Sequence, residues 1–284
     1  MLAECSANGR AQAFHGDESD NGDESYVDFS LPASRHSIRI YNIPFPAIAY
    51  TPEGLVRSPE AFVDGARPYL MSFGGSLAGT EESMRLRKKI FDACRKYDEP
   101  LCTTSTSAHR GTAVYPAEKL ALAFELKRRS VFCLEPGGFN VIRKAIFDSL
   151  ALGCIPVLFV ESYEVAQLWP WHWGSWRNQS SVIIPRGERP PSPDIARRSQ
   201  QPTRAVPVLS CPVTAGAYIA GEVDLLETLQ AIPAAQVARM QATIVQNVPR
   251  VMHFDSPTEF PDALDVTLAA FASWREIADT IEHV

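Results

Sequence analysis

Residues 127–160 read KRRSVFCLEPGGFNVIRKAIFDSLALGCIPVLFV and decide the class of fold. Ser130 to Leu134 is a short apolar run typical of a strand, and Glu135-Pro136-Gly137-Gly138 ends it because proline and glycine interrupt regular structure. Apolar residues at helical spacing then predict a helix from Val141 to Leu152. Ile155 to Val160 is a wholly apolar second strand, which is typical of a parallel sheet covered on both faces. The segment is therefore predicted to be a β-turn-α-β unit.

A second unit of the same kind precedes it. Arg67 to Phe73 is predicted to be a strand, Gly74-Gly75-Ser76 a turn, and Glu81 to Lys96 a helix whose outward face carries Arg85 and Arg87. Alternating strands and helices predict an α/β fold, a doubly wound parallel sheet. The remaining predicted elements are short strands at 100–102 and 181–184, a polar loop at 103–112, and helices at 116–128, 222–232, 234–247 and 262–281.

Composition divides the chain and excludes some functions. Residues 1–37 are acidic and poor in large apolar groups, so they are predicted to be disordered. Residues 38–284 are predicted to fold as one domain, with a proline-rich insertion at 185–214. The net charge of −6 argues against nucleic-acid binding. With no apolar run of membrane-spanning length and no signal peptide, no membrane segment is predicted in this chain.

The six cysteines form no CxxC pair, so no zinc site is predicted. Cys133 and Cys154 lie in apolar segments and are predicted to be buried thiols. Cys94 and Cys102 flank a short loop, and they are interpreted either as a disulfide formed in an oxidising compartment or as free thiols. No Asp-x-Asp triplet, GxGxxG, Walker A, HExxH or GxSxG motif occurs, so neither a metal site nor one of these common catalytic motifs is predicted.

The glycine turn before the central helix is the first candidate site. Gly137 and Gly138 would let a ligand approach the backbone, and amides at a helix start attract phosphate; a plain tight turn is the equal alternative. Arg143 and Lys144, predicted in the first helical turn, oppose the helix dipole, which indicates either an anionic ligand or solvated surface charge. Asp148, one turn on, is interpreted either as a ribose ligand or as a solvated aspartate.

Three further groups are weaker candidates. The turn containing Ser72, Gly74 and Gly75 either faces the same crevice or is purely structural. His109 and Arg110 lie in a polar loop. The tryptophan-rich stretch at 169–176 either stacks on a sugar or, as clustered aromatics more often do, builds core. Asn178-Gln179-Ser180 fits the N-glycosylation pattern.

The central block resembles the exostosin family, glycosyltransferase family 47, and in particular its plant xyloglucan galactosyltransferase branch. The resemblance rests on Ser130-Val131-Phe132-Cys133-Leu134-x-Pro136-x-Gly138, on Arg143 with Phe147-Asp148-Ser149, and on Gly153-Cys154-Ile155-Pro156-Val157. Similar but weaker blocks are 42–46, 67–75, 163–173, 181–185 and 240–253, so the likeness covers about residues 38–280.

The resemblance implies the C-terminal, donor-binding half of a GT-B glycosyltransferase with a Rossmann-like sheet. Such an enzyme transfers a sugar from a nucleotide sugar, here expected to be UDP-linked, to a glycan or polysaccharide acceptor in the Golgi, without a metal or other cofactor. Gly137 and Gly138 would approach the donor diphosphate, Arg143 with Lys144 would pair with it, and Asp148 would hold the ribose or sugar. The catalytic base is not identified. Cys94 and Cys102 also match a family cysteine pair.

The chain departs from the family in three ways. Gly137 replaces the second proline of a Pro-Pro-Gly, and Lys144 replaces the second arginine of a pair, which keeps the charge but not the planar fork. The family's acceptor domain and membrane anchor have no counterpart here. A non-catalytic nucleotide-binding module, or a donor domain without its acceptor half, is therefore the alternative function.

Overall fold

The computed structural model describes residues 3–5, 11–13, 26–27, 43–45, 67–97, 100–107, 117–139, 141–160, 168–185, 215–222, 224–254 and 260–282. The chain divides into two compact units, 1–42 with 190–202 and 43–189 with 203–284. In the first unit β1 (Ala3–Cys5), β2 (Ala11–Ala13) and β3 (Tyr26–Val27) form an antiparallel sheet. These three strands lie within the segment 1–37 that was predicted to be disordered, and the remainder of that segment lies outside the described residues, as does the insertion after Pro185.

The second unit contains a parallel sheet of five strands, which confirms the predicted α/β, Rossmann-like class. The strands are β4 (Tyr69–Ser76), β5 (Cys102–Ser107), β6 (Ser130–Glu135), β7 (Ile155–Phe159) and β8 (Val182–Ile184), in the spatial order β5-β4-β6-β7-β8. The helices are α1 (Glu81–Cys94), α2 (Ala117–Arg128), α3 (Lys144–Ala151), α4 (Ala215–Ala220), α5 (Leu225–Gln230), α6 (Ala234–Asn247) and α7 (Ala263–Glu282). None of the described helices has the length and apolar character needed to cross a bilayer.

The strand order reverses next to β4. The chain runs from β4 through α1 to β5 on one side, and then returns through α2 to β6 on the other side of β4. Because such crossovers are right-handed, α1 and α2 lie on opposite faces of the sheet. The reversal leaves a crevice beyond the carboxyl ends of β4 and β6, and doubly wound sheets bind their ligands at this point.

The core fills the space between the sheet and its helices. β7 is buried at every residue, and Phe132 on β6 is fully buried. α3 presents Ile146, Phe147 and Leu150 to the sheet, since positions separated by three or four residues share one helix face. This packing fixes α3 directly behind the crevice.

Three predicted boundaries were wrong. Gly74-Gly75-Ser76 is not a turn but the last part of β4, because β5 pairs with it from Met71 to Ser76. That pairing also makes a strand of Cys102–Ser107, most of which was predicted to be loop; an edge strand tolerates polar side chains and its β-branched threonines suit it. The central helix begins at Lys144, because Val141 to Arg143 are not helical. The short helix α4 was not predicted.

Two disulfides link neighbouring elements of the sheet domain. Cys94 at the end of α1 is bonded to Cys102 at the start of β5, which decides between the two interpretations of that pair. Cys133 is bonded to Cys154, so the prediction of buried thiols there was wrong. The pairing of Phe132 with Ile155 brings the α-carbons of Cys133 and Cys154 to 5.8 Å, within the range a disulfide spans.

Replacing both Cys94 and Cys102 by alanine is expected to lower the free energy of unfolding by about 2–3 kcal/mol, because the bond closes a short loop in the unfolded chain. Urea denaturation under non-reducing conditions measures this loss. The double variant retains Cys133–Cys154 and serves to separate the two cross-links. A double variant as stable as the oxidised wild type would show that this bond does not constrain the unfolded state.

Candidate functional site

The two loops that leave the carboxyl ends of β4 and β6 are in contact. We call Leu77 to Thr80, which joins β4 to α1, the first crevice loop, and Pro136 to Arg143, which joins β6 to α3, the second crevice loop. The Thr80 backbone N–H donates a hydrogen bond of 3.4 Å to the Gly138 carbonyl oxygen. The chain reversal therefore brings together residues that lie about sixty positions apart in the sequence.

Arg143 lies at the crevice. It is the N-terminal cap of α3 in an extended conformation, and its Nη1 donates to the Pro136 carbonyl at 2.7 Å and to Glu135 Oε2 at 3.3 Å. Its Nη2 faces Gly75, where an added β-carbon would lie 3.8 Å away. The Arg143 side chain is not fully enclosed, since 18% of it stays exposed.

Glu135, the last residue of β6, is the buried counter-charge of this region. Its Oε1 accepts hydrogen bonds from Lys127 Nζ and from Ser149 Oγ, the latter at 2.7 Å, and its Oε2 accepts from Arg143. Burial raises the pKa of the carboxyl, but the positive charges of Lys127 and Arg143 and the hydrogen bonds outweigh it, so the pKa lies below its ordinary value. Glu135 is therefore an ionised carboxylate that holds the side chains of Lys127 and Arg143 in place.

Arg87 also belongs to the site, although its helix face was predicted to be outward. The side chain is buried, and it donates to carbonyl oxygens of both crevice loops and of Ser76 at the end of β4. Burial, with a smaller effect of the charge on Arg143, lowers its pKa to about 10, although Glu135 acts in the opposite direction. Its spacing from the buried Ile90 and Cys94 was the signal that could have placed it inward.

The glycine candidates separate into two groups. Gly137 is buried and its carbonyl oxygen accepts from Arg87 Nε at 2.8 Å, whereas Gly138 is partly exposed. A β-carbon on Gly138 would lie 3.2 Å from Arg87 Nη2, so a larger residue here would push this guanidinium aside by a few tenths of an ångström. Gly74, by contrast, faces Ser105 and Ala123 of the surrounding elements and does not face the crevice.

Ser72 and Asp148 are placed differently from the prediction. Ser72 is buried in the middle of β4, with its hydroxyl 3.7 Å from Cys133 Sγ, and so it is not at the crevice. Asp148 is also buried, and Lys144 Nζ donates to its Oδ2 at 2.8 Å. The structure thus assembles Gly75, Gly137, Gly138 and Arg143, with Lys144 beside them at the start of α3 and its partner Asp148 one helical turn further on.

The tryptophan stretch is core. Trp169 and Trp173 are fully buried, and the rings of Phe147 and Trp169 meet edge to face at 4.3 Å between centroids. Of the two alternatives for this stretch, sugar stacking or core packing, the structure shows core packing. Ser180 of the glycosylation pattern is also buried, where its hydroxyl accepts from Trp173 Nε1 at 2.9 Å. His109 and Arg110 lie outside the described residues.

The described residues contain no group of three or more histidine, cysteine, aspartate or glutamate side chains placed to hold a metal ion. The charge of the crevice comes instead from the guanidinium groups of Arg87 and Arg143. With the amino end of α3, which carries the positive end of the helix dipole, they form a site suited to an anion such as a phosphate group.

These features define the class: a doubly wound α/β domain with a cationic crevice at the point where the strand order reverses. Residues 4–188 match the exostosin GT47 domain. Since that match covers more than half of the 284 residues, the chain belongs to this family, as the sequence resemblance predicted.

Plant proteins of Arabidopsis thaliana are among the relatives. The chain is 25% identical to the xyloglucan galactosyltransferase MUR3 over 217 residues, which are 72% of this chain and 28% of that protein. It is 37% identical to the xyloglucan-specific galacturonosyltransferase 1 over 119 residues, 42% of this chain and 17% of that protein. A probable xyloglucan galactosyltransferase, GT15, is 23% identical over 237 residues, 82% and 42% of the two chains. The chain thus spans less than half the length of these relatives.

Proposed function

We propose that this chain is the donor-binding part of a glycosyltransferase that transfers a sugar from a UDP-sugar to a glycan or polysaccharide. The observation that carries the proposal is the position of Arg143, whose side chain stays partly exposed and whose guanidinium is fixed by Glu135 and Pro136 at the chain reversal. The family membership and the names of the relatives support the same function.

In this reaction the bond between the anomeric carbon and the diphosphate oxygen breaks, and a bond from that carbon to an acceptor hydroxyl oxygen forms. The acceptor proton passes to a base that is not assigned. Negative charge develops on the departing diphosphate, and preorganised donors at that position lower the barrier. Arg143, Lys144 and the first-turn amides of α3 supply them, without a metal in this proposal. Lys144 at the positive end of a helix is locally unfavourable, and a bound diphosphate offsets that cost.

The proposed acceptor and the proposed cellular location of the enzyme are supported by different observations. The relatives are named for xyloglucan, so a plant-type polysaccharide is the proposed acceptor. Two disulfides in the sheet domain favour an oxidising compartment, which agrees with the Golgi lumen implied by the family.

A non-catalytic nucleotide-binding module is the second candidate. One observation favours it: the described carboxylates at or behind the crevice, Glu135 and Asp148, are both paired with cations, and such a carboxylate is a poor proton acceptor. An acceptor half on another part of the protein or on a partner chain would supply the base and restore the enzymatic function.

We expect UDP to bind the chain and to raise its melting temperature, and Arg143→Gln to weaken binding about ten- to hundredfold, since a charged hydrogen bond contributes about 1.5–3 kcal/mol. Titration calorimetry with UDP measures the change. Arg85→Gln is the matched control, because Arg85 is exposed on α1 and pairs only with the neighbouring Glu81 among the described contacts.

The outcomes separate the two candidates. A wild-type chain that binds neither UDP nor UDP-sugars contradicts the donor site itself. Binding accompanied by UDP release that depends on xyloglucan oligosaccharides supports the transferase. Binding without transfer to any acceptor, by the full-length protein, supports the module.

A further inference from the structure

Arg87 joins the two crevice loops through one side chain. Its Nη1 donates to the carbonyl oxygens of Ser76 at 2.6 Å and Ala78 at 2.9 Å. Its Nε donates to Gly137 at 2.8 Å, and its Nη2 to Pro136 at 3.3 Å. The first pair of carbonyls follows β4 and the second follows β6. The guanidinium therefore holds together the ends of the two strands between which the crevice opens.

The surroundings show that this arrangement needs a guanidinium. Only a planar fork with several fixed donors can reach four carbonyls in different directions, whereas an ammonium group has three donors at a single atom. Gly138 leaves the space that Nη2 occupies, because a β-carbon there would lie 3.2 Å from it. The second crevice loop thus packs closely against this side chain at Gly138.

The charge of Arg87 also matters to the site. It is buried among carbonyl oxygens, and in the described contacts its bonds go to backbone atoms, not to a carboxylate. Burying a cation without a bonded counter-ion costs stability, and neutral groups would tie two loops at lower cost. The nearby Arg143 adds a like charge, which the carboxylate of Glu135 offsets only in part. An anion bound between the loops offsets both costs.

We propose that Arg87 is a positioning residue of the donor site, which sets the spacing of the crevice loops and thereby their affinity for a nucleoside diphosphate. It acts through the loop backbone and through its positive field. The proposal rests on the proposed function, since it assumes that the crevice binds the donor.

The test compares Arg87→Lys with Arg85→Lys, the same change at an exposed site on the same helix. Titration with UDP, well below the melting temperature of each variant, is expected to show a dissociation constant at least tenfold higher for Arg87→Lys and unchanged for Arg85→Lys. A purely structural role would lower the melting temperature and leave the affinity of the folded protein as it was. Equal affinity of Arg87→Lys and wild type, with wild type binding UDP, therefore overturns this inference alone.

Hydrogen exchange on the wild-type chain keeps the inference testable if Arg87→Lys does not fold. Saturating UDP is expected to slow amide exchange in both crevice loops together, because one side chain couples them. Protection confined to the second loop overturns the coupling. Failure of the wild type to bind UDP at all is a different result, because it removes the proposed function first.

Discussion

Replacing Lys127 by methionine is expected to lower the free energy of unfolding by about 3–5 kcal/mol, the usual cost of removing one partner of a buried ion pair. Lys127 and Glu135 are both buried, and Lys127 Nζ also donates to Ser149 Oγ at 2.6 Å. Without the ammonium group Glu135 keeps Arg143 and Ser149 but loses its closest cation. Since whole domains are stable by only about 5–15 kcal/mol, this is a large fraction of the total.

Urea denaturation of Lys127→Met against wild type measures the loss. Lys88→Met is the matched control, because Lys88 pairs with Asp92 on the exposed surface of α1, where such pairs contribute little. The double variant Lys127→Met/Glu135→Leu is expected to recover much of the loss, since well-packed apolar residues replace buried ion pairs at little or no cost. Losing an exposed ion pair costs about 1 kcal/mol or less. A free energy of unfolding for Lys127→Met that is within about 1 kcal/mol of the wild-type value would therefore contradict the assignment of Lys127 and Glu135 as a buried pair.

The same network gives the stability a pH dependence of known sign. The pKa of Glu135 is depressed in the folded protein from an ordinary value of 4.5. Its contribution to stability is therefore complete above that value and is lost as the pH falls through the lower folded pKa. Glu135→Gln is expected to remove this part of the acid sensitivity, which denaturation curves between neutral and acidic pH report directly.

Replacing Trp173 by alanine is expected to cost about 3–5 kcal/mol, because the surrounding core closes only partly around the cavity left by a large side chain. Trp173 is fully buried between Trp169 and Trp176, and its ring centroid lies 6.2 and 6.1 Å from theirs. The change also removes the donor that bonds Ser180 Oγ at 2.9 Å, and leaves a buried hydroxyl with one contact fewer.

Trp171→Ala is the matched comparison for this second change. Trp171 lies in the same turn but is only partly buried, with its ring against the exposed Phe271 at 5.5 Å. Its loss is expected to be clearly smaller in the same denaturation experiment. Equal costs at the two positions would mean that Trp173 does not carry the core packing assigned to it.

Local patterns were sufficient for the central unit. β6, α3 and β7 follow from an apolar run, helical spacing and a second apolar run, each contained within a few residues. The boundary errors in β4 and β5 come from long-range pairing: nothing near Gly74-Gly75 indicates that a strand thirty residues away extends β4 through them. The edge strand β5 is polar for the same reason, since only its pairing with β4 makes it a strand.

The residues of the candidate site could likewise be predicted from the sequence where a local motif contains them. Gly137, Gly138 and Arg143 lie in one local motif, and Gly75 was suggested by a second glycine pair after a predicted strand, although that pair is part of β4. Arg87 was missed because arginine on a helix is usually solvated, and the carbonyls that hold it come from two other segments. Glu135 was not singled out because its partners lie on α2 and α3, which only the assembled sheet brings to the end of β6.

The Cys133–Cys154 bond lies inside the finished sheet, with its cysteines 1% and 0% exposed. While β6 and β7 stay paired, these sulfur atoms are shielded from oxidants and reductants in solution. We expect the bond to form more readily while the chain is still folding than after the core has closed around it. Protein for the binding measurements is therefore best folded under oxidising conditions, because two thiols enclosed in a reducing cytosol are shielded from later oxidation.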